Sequence, residues 1–136
     1  MLANLENAIN AHDLDLMASC FERDYHSSFP AHPDRDFHGI DQMKSNWSKI
    51  FAGVPNITAK LLRQASFGET FWAEWEWEGK RVDGTPFNMR GVTIQGIQKN
   101  RIVWARMYME PVTVGRGVDV AIREAITTNH SELNKK

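Results

Sequence analysis

A chain of 136 residues, 42% hydrophobic and with a net charge of −1, is long enough for one core and too short for two. Its scattered charges form no basic stripe for nucleic acid or a membrane surface, and no apolar run approaches the roughly 18 residues of a membrane span. The lone Cys20 excludes an internal disulfide, and Met1–Glu6 lacks the basic and apolar stretches of a signal peptide, so a reducing, cytoplasmic setting is expected.

Leu2, Leu5, Ala8 and Ile9 fall on one stripe and predict a first helix. Asp13 is a natural N-cap for a short second helix carrying Leu16, Met17, Cys20 and Phe21. From Tyr25 to Gly39 the chain is rich in Pro, His and Asp and reads as a loop. Helical spacing resumes through Ile40, Met43, Trp47, Ile50, Phe51 and Val54, and Gly53 and Pro55 end that third helix.

Beyond Pro55 the period changes to two, predicting strands at about 57–66, 70–79, 86–97 and 101–112. Asp83-Gly84 and Lys99-Asn100 fit two-residue hairpin turns, whose central positions need positive φ. Val118, Ile122, Ala125 and Ile126 predict a last helix over 117–129, followed by a polar tail, so residues 113–136 belong to the same domain as residues 1–112. With no secretion expected, the Asn-x-Ser/Thr triplets at Asn46, Asn56 and Asn129 are expected to be chance matches.

Two-residue turns at both hairpins set a register. Glu74 then stands beside Thr93 and Arg106, Glu76 beside Gly91 and Tyr108, and Trp72 beside Gln95 and Trp104, all on one polar-aromatic face. The other face collects Phe71, Ala73, Trp75, Trp77, Val92, Ile94, Val103, Ala105, Met107 and Met109, with Arg90 as its one charge. A one-residue bulge between Asn88 and Thr93 would exchange the faces of the middle strand and move Arg90 to the polar side. Periodicity leaves two arrangements open. Either the helices pack on the apolar face and the polar row is solvated, or they arch over the polar-aromatic face while the apolar face meets a second copy.

The order helix, helix, loop, helix and meander, ending in the run Arg101-Ile102-Val103-Trp104-Ala105-Arg106-Met107-Tyr108-Met109-Glu110-Pro111, resembles the nuclear transport factor 2-like superfamily, above all its SnoaL-like branch. Asn10-Ala11-His12-Asp13, Phe21-Glu22-Arg23-Asp24-Tyr25 and Phe37-His38-Gly39 are similar to the same branch. The resemblance covers roughly residues 1–112 and implies a cone-shaped α+β fold, with N-terminal helices over a curved antiparallel sheet. It favours a pocket under the helices for a small, largely apolar organic molecule, and a homodimer joined through the apolar sheet face.

Limonene-1,2-epoxide hydrolases of this superfamily carry a similar Arg-x-Tyr-x-acid run, which here is Arg106, Tyr108 and Glu110. Their earlier Arg and Asp, two apart on one strand, correspond to Glu74 and Glu76. Ketosteroid isomerases and SnoaL-like polyketide cyclases use single carboxylates without metal or organic cofactor. The resemblance therefore implies Glu74 as acid or base, with Arg106 and Tyr108 orienting it and Glu110 assisting. Trp47, Trp72 and Trp104 would wall the pocket with Thr93 and Gln95 as polar contacts, and Tyr25 and His32 would touch ligand from the rim.

His26, His32 and His38 share one loop, yet no pair has the helical spacing or the cysteine partners of a metal site. Phosphate loops and nucleophile elbows are also missing from the sequence. Three functions stay open: a cofactor-free isomerase, cyclase, dehydratase or hydrolase, a non-catalytic ligand-binding domain using the same pocket, and a ligand-free dimerisation module.

Overall fold

The computed structural model describes residues 1–127; the end of the expected last helix, the polar tail and the Asn129 triplet lie outside the described residues. Two short helices, α1 (Leu2–Asn10) and α2 (Leu14–Ala18), lead into strand β1 (Phe21–Ser28). A 3-10 turn at Pro33–Arg35, strand β2 (Phe37–His38) and helix α3 (Ile40–Gly53) follow, then β3 (Thr58–Phe67), β4 (Thr70–Lys80), β5 (Pro86–Gln98), β6 (Arg101–Pro111) and α4 (Val118–Ile126). The strands form one six-stranded sheet in the order β2-β1-β6-β5-β4-β3.

The apolar stripe of α1 is buried at Leu2, Leu5, Ala8 and Ile9. Its polar side holds the edge strand: Asn10 both donates to the Ala59 carbonyl and accepts from the Ala59 N–H, and Glu6 accepts from the Leu61 N–H. Those bonds engage backbone groups that an edge strand otherwise presents to other chains. Asp13 caps α2 by accepting from the Leu16 N–H at 3.0 Å.

The sequence pattern runs α2 through Phe21 and leaves Tyr25–Gly39 as loop, but α2 ends at Ala18 and Phe21–Ser28 is a strand lying parallel to β6. Its alternation is hard to see because a register irregularity separates Phe21 from His26, and one buried position is a serine, Ser27. Lys99 and Asn100 do form the expected tight turn, with φ of 50° and 63°. Val103 then forms a bulge, since Ile102 pairs with Ile97 and Trp104 with Gly96.

The other hairpin differs from its expected form. Arg81 and Thr85 pair across a three-residue turn, Val82-Asp83-Gly84, in which Gly84 takes φ of 85° and Asp83 accepts from the Thr85 N–H. The extra loop residue slips β5 by one relative to β4, so Glu74 pairs with Val92 and Ala73 with Thr93. Arg90 moves to the polar side beside Glu76, through loop length and not through a bulge in β5.

The concave face consequently gathers Ala73, Trp75, Trp77, Thr93, Gln95, Ala105 and Met109, all buried beneath α1, α2 and α3. The apolar face is therefore covered by the chain's own helices and is not available to a second copy. The convex face carries Trp72, Glu74, Glu76, Arg90, Arg106 and Tyr108. α4 buries none of its residues.

The sheet is tightest at Gly91, where a Cβ would lie 2.0 Å from the Tyr108 carbonyl oxygen and 2.8 Å from Met109 Cα. Backbone cannot yield as a side-chain tip can, so Gly91→Ala should lower unfolding stability by about 2 kcal/mol in urea titrations. Gly53, with open space around its Cβ position, is the control: Gly53→Ala should be neutral or stabilising by less than about 1 kcal/mol.

Candidate functional site

Between the concave sheet face and helices α1–α3 lies a cavity of about 190 Å³. Trp75, Trp77, Thr93, Gln95, Met107 and Met109 form its sheet wall, and Ile9, Met17, Tyr25, Met43 and Trp47 face them from the helices and β1. Phe29, Arg35 and Phe37, from the β1–β2 connection and β2, also line it, and the exposure of Arg35 marks the mouth.

The aromatic walls brace one another. Trp47 meets Trp77 edge to face at 5.2 Å between centroids, and Tyr25 tilts against Phe21 at 4.5 Å. Trp75 Nε1 donates to Thr93 Oγ1 at 2.9 Å, which leaves the Thr93 hydroxyl hydrogen for another acceptor. Gln95 Nε2 donates to the Phe71 carbonyl, and among the described residues its Oε1 has no donor. Trp77 Nε1 is buried without a partner among the described residues.

Tyr25 is 3% exposed, and burial pushes its phenol well above the ordinary value of 10.0. It is a neutral hydroxyl across the physiological range, able to donate to a ligand oxygen. Ser27 and Asn46 add further neutral polar groups. Arg35 is the only charged side chain in the lining; no carboxylate and no histidine reaches it among the described residues.

Of the residues expected to bind ligand, Tyr25, Trp47, Thr93 and Gln95 line this cavity. Thr93 and Gln95 were expected on the polar-aromatic face, and the slipped register carries them to the concave face where the cavity is. Trp72 is 39% exposed on the convex face, and Trp104 lays its indole over Gly96 on that side, where a Cβ would lie 2.1 Å from Nε1.

The four residues expected to carry catalysis are likewise outside the cavity. Glu74 pairs with Arg63 at 3.2 Å, Tyr108 is 38% exposed, and Arg106 stands beside Ile94 and not beside Thr93. Glu110 meets His32 at 2.6 Å on the outer side, so the expected rim residue His32 contacts a carboxylate and not the cavity. The reason is common to all. Even-numbered residues of β4, β5 and of β6 beyond its bulge share the convex face, and charged pairs there keep water contact that burial under the helices would remove. His26 and His38 stack at 4.3 Å as cross-strand partners.

Several lining residues escaped the sequence reading. Trp75 and Trp77 stand out in the sequence as an apolar alternation, which periodicity leaves free to meet either the helices or a second copy. Asn46 follows from helical spacing with Met43, Trp47 and Ile50, and Ser27 from alternation with Tyr25. Arg35, in an irregular connection, had no periodic signal at all.

The SnoaL-like domain model matches residues 3–105. The chain belongs to the SnoaL-like domain family. No curated protein sequence matches it significantly. Solved structures share the SnoaL-like fold at low identity. IdmH of Streptomyces antibioticus, provisionally called a polyketide cyclase, is 18% identical with a TM-score of 0.70, over 80% of this chain and 88% of that one. A provisionally assigned isomerase of Bacillus subtilis gives 15% and 0.71, over 80% and 83%. A Catenulispora acidiphila protein with a ketosteroid isomerase-like fold, in complex with trimethylamine, gives 16% and 0.69, over 79% and 82%. At these identities the likeness establishes the fold alone. No helix among the described residues is long and apolar enough to cross a membrane.

The Tyr25 phenol makes a measurable contribution to pH dependence. Its folded-state ionisation lies above that of the unfolded chain, so the stability it supports is complete below about pH 10 and declines as pH rises further. From about pH 10 to pH 11, urea unfolding should lose about 1 kcal/mol more in the wild type than in Tyr25→Phe.

Proposed function

We propose that this SnoaL-like domain binds a small, largely apolar organic molecule in the cavity beneath its helices. The observation that carries this reading is the lining: aromatic and Met walls interrupted by a few uncharged hydrogen-bonding groups, Tyr25, Ser27, Asn46, Thr93 and Gln95. Such a set grips an apolar body and orients an oxygen-bearing substituent by donation, as neutral hydroxyls and amides do. Because Glu74 and its neighbours stand on the other face, binding is favoured here over acid–base turnover by those carboxylates.

Saturation at about a hundred times the dissociation constant adds about 2.7 kcal/mol of stability. Thermal melts against terpenoid epoxides, steroids, polyketide acids and aromatic lactones should reveal such a shift for at least one class. Ala105→Leu, which fills the cavity from the buried sheet wall, should abolish the shift measured against its own unliganded baseline. Glu74→Gln should leave it unchanged. A shift removed by Glu74→Gln and kept by Ala105→Leu would put the ligand on the convex face and overturn the proposal.

Homodimerisation is part of the same proposal, moved to the convex face. Trp72 and Tyr108 are 39% and 38% exposed there, and Val92 and Ile94 lie between them. Sedimentation equilibrium should give a dimer for the wild type and a monomer for Trp72→Glu. A monomeric wild type at tens of micromolar would remove this part.

A further inference from the structure

The cavity contains one feature that simple apolar binding does not use. Arg35 lies in its wall, in the 3-10 turn Pro33–Arg35, and is the one charged residue among the lining. Among the described residues its guanidinium makes no ion pair and no hydrogen bond. The acids nearby are engaged elsewhere: Asp36 accepts from the Phe29 N–H at 2.7 Å, and Glu110 meets His32. Asp34 precedes Arg35 directly, and adjacent residues of a helical turn do not face each other.

An unpaired guanidinium at the mouth of an apolar cavity has a definite preference. Its planar fork matches a carboxylate, with two parallel hydrogen bonds and opposite charge, while the aromatic walls take the rest of the ligand. Five neutral polar groups and no competing carboxylate in the lining leave nothing that would repel an anion. Aromatic walls also attract ammonium groups through their ring faces, but a like charge at the entrance opposes a cation. The volume, about 190 Å³, is comparable with an engineered cavity of about 150 Å³ that takes up benzene, which sets the apolar body near a single substituted ring.

We propose that the ligand is a small organic acid, its apolar body inside the cavity and its carboxylate on Arg35 at the mouth. This rests on the cavity being the binding site, and the two claims separate in one titration series. The probes are hydrocinnamate and phenylacetate, their uncharged primary amides, and phenyltrimethylammonium, each titrated calorimetrically at low salt into the full chain and into Arg35→Gln.

The acids should bind the wild type about tenfold more tightly than the matching amides. That preference should vanish in Arg35→Gln and shrink when salt is raised, because the pair is partly solvent-exposed. Arg35→Lys should keep part of it, having the charge without the fork. Acids and amides binding the wild type equally would leave the cavity as the site and overturn the role of Arg35. Tighter binding of phenyltrimethylammonium than of either acid would overturn it as well. No binding by any probe would overturn both claims. The acid–amide comparison in the wild type stands even if a variant fails to fold.

Discussion

The turn at Arg81–Thr85 sets which residues of β5 stand opposite those of β4, and through them which side chains meet the helices. Strand side chains alternate with a period of two, so one loop residue more or fewer exchanges an entire strand between the two faces. With Val82-Asp83-Gly84 as the loop, Thr93 and Gln95 go under the helices and Arg90 goes out. The opposite outcome would put a guanidinium among Trp75, Trp77 and Met109. Gly84, at φ of 85°, and Asp83, holding the Thr85 amide, keep the turn in this form.

Once that register is set, polar groups separate by cost. Glu76 and Arg90 pair across strands on the convex face, as do Glu74 and Arg63, where each keeps some water. The concave side admits polar atoms only where they are uncharged, as in the Trp75–Thr93 and Gln95–Phe71 bonds. Arg35 is the exception, and it sits at the mouth, where its head group keeps contact with water. The cavity is therefore apolar in bulk and positive at one end.

The parts of this arrangement visible in the sequence are those governed by local periodicity. The stripe Leu2, Leu5, Ala8 and Ile9, the series Ile40 to Val54, the Asp13 cap and the Lys99-Asn100 turn are all local signals, and all appear in the fold. Three features depended on something else. β1 pairs with β6 across most of the chain, and its apolar content is too thin to announce a strand. Which β5 side chains stand on each face hung on a single loop residue, since Asp-Gly fits a two-residue turn and a three-residue turn with Gly last. Which face the helices cover is not set by periodicity: Glu74, Arg106 and Tyr108 share one side of the sheet, as the alternation predicts, and the cavity is on the other.

The partnership of β1 with β6 also orders events in time. His26 joins Trp104 and Ser28 joins Arg106, so the strand that anchors the β1–β2 connection must wait for the last strand of the sheet to be synthesised. Contacts this distant in the chain close large loops and slow the search for the native state. The meander β3 to β6 has only local turns to form and can assemble ahead of it. The connection bearing Phe29 and Arg35 is consequently among the last parts to settle, and on a ribosome the cavity has no mouth until β6 has emerged.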